Sequence, residues 1–72
     1  MDRIDKDDFI KMLKIGKPKV VDYYEYISFF GKYHFRFVHK DYYYETTCYD
    51  CRFRMKEEIA SLKIDIIELK RD

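Results

Sequence analysis

The chain has no tryptophan, one proline, two glycines and two cysteines among its 72 residues. Cys48 and Cys51 are three positions apart, so a disulfide between them would close only a small loop and constrain the unfolded chain little. Gly16 and Gly31 stand alone, and no glycine-rich loop that could cradle phosphate and no Gly-x-Ser-x-Gly motif occurs. We therefore expect no enzymatic activity and no cofactor.

Long hydrophobic runs are also missing. The longest apolar run is far below the roughly 20 residues that cross a membrane. The charged start, residues 1–5, lacks the apolar segment of a signal peptide. We therefore expect a cytoplasmic protein, of a cell or of a virus in its host, whose cysteines stay reduced. The 15 basic and 14 acidic residues give a net charge of +1, which does not favour strong binding to nucleic acid.

Aromatic residues, by contrast, are abundant and unevenly placed. Tyrosine occurs 8 times and phenylalanine 6 times, and every tyrosine and most of the phenylalanines lie between Tyr23 and Tyr49. Such residues favour pleated, half-buried surfaces, so the middle third of the chain predicts a small sheet. A chain this short forms one domain, residues 1–72, with a small core. The surplus of tyrosine predicts a contact surface.

A short helix precedes the predicted sheet. Asp5 is suited to cap it, and an apolar face that includes Phe9 and Leu13 follows. Gly16 occupies the position where helices commonly end in a left-handed residue. These features predict a helix from about Asp5 to Ile15.

Two turns predict a three-stranded antiparallel meander. Gly31 in Phe30-Gly31-Lys32-Tyr33 is typical of the first central residue of a two-residue hairpin loop, which would pair Tyr26 with Phe37. A second turn at Lys40-Asp41 would place Arg36 opposite Glu45. Side-chain alternation then predicts an inner face made of Tyr24, Tyr26, Phe30, Tyr33, Phe35, Phe37, Tyr42 and Tyr44.

The C-terminal third predicts an amphipathic helix that covers this inner face. From about Arg54, apolar residues recur at spacings of three and four through Met55, Ile59, Leu62, Ile66 and Leu69. The preferred order is therefore α-β-β-β-α, an α+β domain. Residues 63–70 also fit a final strand, because Ile64 and Ile66 alternate with charged residues. Ile64 and Ile67 lie off the helical stripe, which raises the possibility of a homodimer through this helix.

Cys48, Cys51, His34 and His39 form a candidate zinc set by residue type, since thiolates and imidazoles are the usual ligands of zinc. The predicted register points His34 away from the cysteines and leaves His39 far from them along its strand, so we expect no metal site. The Cys-x-x-Cys spacing is also that of redox pairs next to a helix. The predicted helix begins after Cys51 and no β-α-β unit is predicted, so two ordinary thiols are the preferred interpretation.

The residues predicted to point outward are Tyr23, Phe29, Arg36, Tyr43 and Tyr49, which are types enriched at protein interfaces. We therefore expect a small protein-binding module, an inhibitor or adaptor of the kind carried by phages and mobile elements, that docks this tyrosine-rich face on a larger protein. The alternative is a single-stranded nucleic-acid binder that stacks bases on the sheet and uses Arg36, Lys32 or Lys40 for phosphates. A small zinc-binding domain is a further alternative. No membrane partner is expected.

Overall fold

The computed structural model describes residues 1–69 as one five-stranded sheet with two helices packed on one of its faces. The elements are β1 (Asp2–Arg3), α1 (Lys6–Gly16), β2 (Val20–Ile27), β3 (Tyr33–His39), β4 (Tyr42–Thr46), α2 (Tyr49–Ser61) and β5 (Asp65–Leu69). The strand order is β1-β4-β3-β2-β5. β2, β3 and β4 are antiparallel neighbours, while β1 pairs with β4 and β5 with β2 in parallel. The α+β class is confirmed, but the sheet is larger and mixed.

The first helix forms where its capping residues predict it. The Asp5 side chain accepts a hydrogen bond of 2.8 Å from the Asp8 N–H, which satisfies one of the free donors of the first turn. At the other end, the Lys17 N–H donates to the Leu13 carbonyl across 2.8 Å. The left-handed residue that ends α1 is Lys17, with φ of 47°, and not the preceding Gly16.

The loop between β2 and β3 differs from the prediction, because it has three residues and not two. The Ser28 N–H donates to the Lys32 carbonyl across 2.8 Å, so these two residues close the loop. The Gly31 N–H donates to the Ser28 carbonyl across 2.9 Å, and Gly31 has φ of 79°. This is a tight turn followed by a left-handed glycine, the common three-residue hairpin loop.

The longer loop changes the register of β2 against β3 by an odd number of positions. Because side chains alternate between the faces of a strand, the two faces of β2 are exchanged relative to the prediction. Tyr23 pairs with Phe37 and is only 1% exposed. Tyr24 and Tyr26 instead share the other face with Arg36. The predicted inward placement of Tyr24 and Tyr26 and the predicted outward placement of Tyr23 are therefore wrong.

The register of β3 against β4 is as predicted. Arg36 lies opposite Glu45 and Phe37 lies opposite Tyr44. The turn at residues 40–41 is tight, with Lys40 at φ of 53°. Of the residues predicted to face inward, Phe35 and Phe37 are buried and Tyr44 packs against the core, whereas Tyr33, Tyr42 and the loop residue Phe30 are exposed.

The last third of the chain is a shorter helix followed by a strand. α2 begins at Tyr49, before the predicted start at Arg54, and ends at Ser61. Lys63 then takes φ of 62°, and β5 pairs with β2. The preferred helix is therefore wrong over residues 65–69, where the alternative strand is confirmed; Lys70 lies outside the described residues. Ile64 and Ile67, through which a helical homodimer was predicted, therefore lie outside α2, and Ile67 is part of β5.

The core lies between the sheet and the two helices. Its buried residues come from α1, α2, the central strands and the segment before β5: Phe9, Leu13, Val21, Tyr23, Phe35, Phe37, Met55, Ile59 and Ile64. Because both helices contribute to this one cluster, they lie on the same side of the sheet. Neither α1 nor α2, the helices of residues 1–69, is long and apolar enough to span a membrane. Within the described chain, the opposite face of the sheet carries no helix.

Candidate functional site

The uncovered face of the sheet carries a set of interacting polar and aromatic side chains, which we call the open-face cluster: Tyr26, His34, Arg36, Tyr43 and Glu45. Glu45 is its centre. Its Oε1 accepts hydrogen bonds from Arg36 Nε at 2.7 Å and from the Tyr26 hydroxyl at 2.8 Å. Its Oε2 lies 3.4 Å from His34 Nδ1. One carboxylate thus connects three neighbouring strands.

Ring contacts hold the same side chains in place. The Arg36 guanidinium carbon lies 4.2 Å from the Tyr43 ring centroid and 5.7 Å from that of Tyr26. The Tyr26 and His34 rings stack with centroids 4.7 Å apart and planes 7° from parallel. Cation–π and stacking contacts of this kind favour one arrangement of the side chains. The cluster is therefore an ordered surface whose side chains are held in one arrangement.

The cluster has little free charge. Burial by itself would raise the pKa of Glu45, but hydrogen bonds from Arg36 and Tyr26 outweigh it and hold that pKa below its usual value. Burial and the hydrogen bond to Glu45 together raise the pKa of Tyr26. Glu45 is thus ionised and Tyr26 neutral at pH 7. Because the Arg36 charge is paired with Glu45, this part of the face has little net charge.

The β2–β3 loop extends this surface beyond the sheet. Phe29 and Phe30, which we call the hairpin tip, are 97% and 92% exposed. Their rings contact only edge to face, with centroids 5.6 Å apart and planes at 89°. The loop begins after Ser28, two residues beyond Tyr26, so the hairpin tip lies at the same end of the sheet as the Tyr26–His34 pair. Two adjacent phenylalanines with so much exposed ring surface are typical of an interaction site.

The five residues predicted for partner binding lie in different parts of the structure. Arg36 and Tyr43 lie in the open-face cluster and Phe29 lies in the hairpin tip. Tyr49 begins α2 on the helical side of the sheet, where its ring centroid is 5.1 Å from that of Phe35. Tyr23 is in the core.

The placement of Tyr23 has a clear chemical signature. Its hydroxyl donates a 2.7 Å hydrogen bond to Glu25, and burial, together with that bond, raises its pKa far above the usual value. The predicted register placed Tyr26 and Phe30 on the inner face, whereas it turned His34 and Glu45 outward without including them among the predicted partner-binding residues. A three-residue loop closed by Ser28 and Lys32, considered in place of the two-residue loop, would have predicted Tyr26 on the outer face and Phe30 in the loop.

The candidate zinc ligands are not brought together. His34 lies on the open face, and the sheet separates it from Cys48 and Cys51 at the start of α2 on the helical side. His39 is at the far end of β3, four residues or about 13 Å beyond Phe35. Among residues 1–69, no group of three or more His, Cys, Asp or Glu side chains is arranged to hold a metal ion.

The basic residues predicted for phosphate binding are also dispersed. Lys32 is in the hairpin loop and Lys40 is at the opposite end of β3, with the paired Arg36 between them. A denser group of cations occurs near the end of α1, where a concavity of about 470 Å³ is bordered by four lysines. The lining residues are Leu13, Lys14, Lys17, Pro18, Lys19, Leu62, Lys63 and Ile64.

No protein-family model, curated protein or solved structure matches this chain.

Proposed function

We propose that this chain is a small protein-binding module that captures a larger protein with the hairpin tip and the open-face cluster. The observation that carries the proposal is the nearly complete exposure of Phe29 and Phe30 at the end of the sheet where Tyr26 and His34 lie on the uncovered face. Exposed aromatic rings next to ordered tyrosine and arginine side chains have the composition of interface hot spots. A module of this kind serves as an adaptor or an inhibitor of its partner.

The chemistry of the surface indicates the kind of partner. The two phenylalanine rings fit an apolar pocket, and Tyr43 with Arg36 supplies a polar rim of the type found around such anchors. Arg36 is neutralised by Glu45 across 2.7 Å, so this face offers little attraction to phosphate. The partner surface that complements it is an apolar groove with polar edges on a folded protein.

Site-specific crosslinking in a lysate of the source cells tests the proposal. A photoreactive phenylalanine analogue replaces Phe30 in one sample and Ile15, which is 78% exposed on α1, in the matched control. We expect one protein to crosslink at position 30 and not at position 15. The same protein should be retained by the wild type and by Ile15→Ser, and lost with the Phe29→Ser, Phe30→Ser double variant.

Two results would overturn the proposal. One is retention of the partner by the double variant at wild-type affinity while its circular dichroism spectrum is unchanged. The other is crosslinking at position 30 only to a second copy of the chain, which analytical ultracentrifugation of the purified protein would identify as self-association.

The lysine-lined concavity favours a second candidate function, binding of single-stranded nucleic acid. Four lysines border it, and none of the residues within 1–69 that line it is acidic. Such a group of cations attracts a phosphate backbone with an affinity that falls steeply with salt. This site differs from the one expected on the sheet, because Lys32 and Lys40 are not part of it.

Titration of a fluorescent oligonucleotide at two ionic strengths separates the two functions. If the concavity binds nucleic acid, Lys17→Ala should weaken binding and lower the salt dependence by about one phosphate contact. Lys32→Ala, which removes a lysine from the hairpin loop, is the matched control and should have no effect. Equal losses in both variants, or no binding at low salt, would exclude this candidate.

A further inference from the structure

The two cysteines lie at the junction of β4 and α2 and contact each other through the first turn of the helix. Cys48 is the N-cap residue, and its Sγ accepts a hydrogen bond from the Cys51 N–H across 3.2 Å. The Cys48 N–H in turn donates to Thr46 Oγ1 across 3.1 Å. The Cys48 sulfur is thus held against the N-terminal end of a 13-residue helix.

The surrounding topology is a β-α-β unit. β4 is antiparallel to β3, β3 is antiparallel to β2, and β5 is parallel to β2, so β4 and β5 point in the same direction. α2 connects them across one face of the sheet. A Cys-x-x-Cys pair at the start of the helix of such a unit is the arrangement used for thiol–disulfide exchange. The sequence pattern predicted neither a helix that starts at the cysteines nor a β-α-β unit. The structure has both.

The two thiols have different surroundings. Cys48 is exposed and Cys51 is half-buried, and neither is in a disulfide. The Cys51 thiol, and then the backbone N–H groups of Cys51 and Asp50, hold the pKa of Cys48 below its ordinary value. The contact with Cys48, and then burial, raises the pKa of Cys51. An exposed thiol that ionises readily next to a more protected one has the division of roles that exchange chemistry needs.

We propose that Cys48 and Cys51 form a redox-active dithiol that exchanges with disulfide-bonded peptides, with Cys48 as the attacking thiolate and Cys51 as the resolving thiol. Cys48 Sγ attacks one sulfur of the peptide disulfide, a mixed disulfide forms, and the other peptide sulfur leaves and takes up a proton. Cys51 then loses its proton and attacks Cys48 Sγ, which releases the second peptide thiol. The peptide gains the two electrons that the Cys48–Cys51 pair loses, so no other oxidant or reductant is required.

The neighbouring surface favours a peptide substrate. Tyr49 and Phe53 are both exposed, and because they are four residues apart they lie on the same side of α2. Tyr33, also exposed, has its ring centroid 6.5 Å from that of Tyr49. Exposed aromatic rings therefore lie on the first turns of the helix that Cys48 caps. A peptide disulfide that is flanked by aromatic or aliphatic side chains can pack them against Tyr49 and Phe53. Oxidised glutathione has no such side chains.

Reaction with oxidised glutathione at pH 7, followed by acid quenching and mass spectrometry, tests the dithiol. In Cys51→Ser we expect a mixed disulfide at Cys48 to accumulate. In Cys48→Ser, where serine preserves the helix cap, Cys51 should react about three- to tenfold more slowly. The wild type should instead convert to the internal disulfide, with a loss of two hydrogens and no bound glutathione.

A synthetic peptide of residues 46–53 is the control, since it carries the same cysteines without the fold. The proposal is overturned if Cys48 in the protein reacts no faster than in this peptide, or if the wild type accumulates glutathione adducts and no internal disulfide.

The preference for a peptide substrate is tested with a disulfide-bonded peptide that contains phenylalanine. The Tyr49→Ser, Phe53→Ser double variant should slow exchange with that peptide and leave exchange with oxidised glutathione unchanged; equal effects on both would reject the peptide preference.

Discussion

Arg36 and Glu45 lie directly opposite each other on β3 and β4, and Arg36 Nε donates to Glu45 Oε1 across 2.7 Å on the uncovered face of the sheet. The Glu45 side chain is nearly buried by its neighbours, although no helix covers it. A carboxylate with little access to water must be stabilised by hydrogen bonds from the protein, and here Tyr26 and Arg36 donate them.

Removal of Arg36 should destabilise the fold more than removal of an exposed ion pair does. We expect Arg36→Met to lower the free energy of unfolding by about 1 to 2 kcal/mol, because a charge-assisted hydrogen bond to a poorly hydrated carboxylate is lost. Addition of Glu45→Gln should recover part of that loss. Urea denaturation of the single and double variants measures the coupling. Lys6→Met, which breaks the more exposed 3.2 Å pair with Glu58, is the control and should cost less than about 1 kcal/mol. Equal effects at the two pairs would contradict the prediction.

Acid should destabilise the protein partly through Glu45. The pKa of Glu45 is lower in the folded protein than in the unfolded chain, where it is about 4.3. The folded state therefore binds fewer protons, and the stabilisation present above about pH 4.3 is lost as the pH falls through the folded pKa. Urea denaturation at a series of pH values should show a shallower acid-side decline for Glu45→Gln than for the wild type. Parallel curves for the two proteins would mean that Glu45 contributes no proton linkage.

Tyr23 should be among the tyrosines most important for stability, because it fills the core. Tyr23→Ala should cost about 3 to 5 kcal/mol, as truncation of a buried ring leaves a cavity. Tyr23→Phe retains the packing against Phe37, whose ring centroid is 4.8 Å away. It loses the 2.7 Å hydrogen bond that the hydroxyl donates to Glu25 and the longer one, 3.5 Å, that it accepts from Arg52 Nη1, together about 1 kcal/mol. Tyr42→Ala, at an exposed tyrosine of β4, should cost less than Tyr23→Ala. A larger loss of stability for Tyr42→Ala than for Tyr23→Ala would contradict the pairing of Tyr23 with Phe37 between β2 and β3.

The two glycines should respond in opposite ways to the same substitution. Gly31 has φ of 79°, and nothing lies within 4 Å of the position of an added Cβ, so Gly31→Ala meets backbone strain alone. That strain should cost about 1 to 2 kcal/mol. Gly16 is helical, and an added Cβ would lie 3.7 Å from His39 Nε2, an ordinary contact, so Gly16→Ala should be neutral or stabilising by up to about 1 kcal/mol. Thermal unfolding of both variants checks this, and Gly31→Asn should recover part of the loss, since asparagine tolerates positive φ.

Local patterns predicted much of the secondary structure. The Asp5 cap and the apolar spacing after it located α1, because capping and helix amphipathicity depend on residues that are close in sequence. The pairing of Arg36 with Glu45 followed from a short turn whose length is fixed by few residues. These features depend on contacts within about ten residues, which a sequence pattern can specify.

The open-face cluster and the position of the two cysteines could not be located in this way. A loop one residue longer exchanged the faces of β2, so a small local difference decided whether Tyr23 or Tyr26 reached the surface. The start of α2 at Tyr49 placed Cys48 at a helix cap, which the apolar stripe beginning near Arg54 did not indicate.

The sequence by itself determined an α+β domain with a central antiparallel hairpin pair, since local spacing and turn residues are sufficient for that. Only the tertiary structure decided that residues 65–69 form a strand. Ile66 and Ile67 suit either state, and the edge of β2 provides backbone partners that begin with the 2.9 Å bond from the Asp65 N–H to the Lys19 carbonyl. A short apolar segment takes the conformation that buries its side chains and satisfies its backbone groups, and both depend on elements distant in sequence.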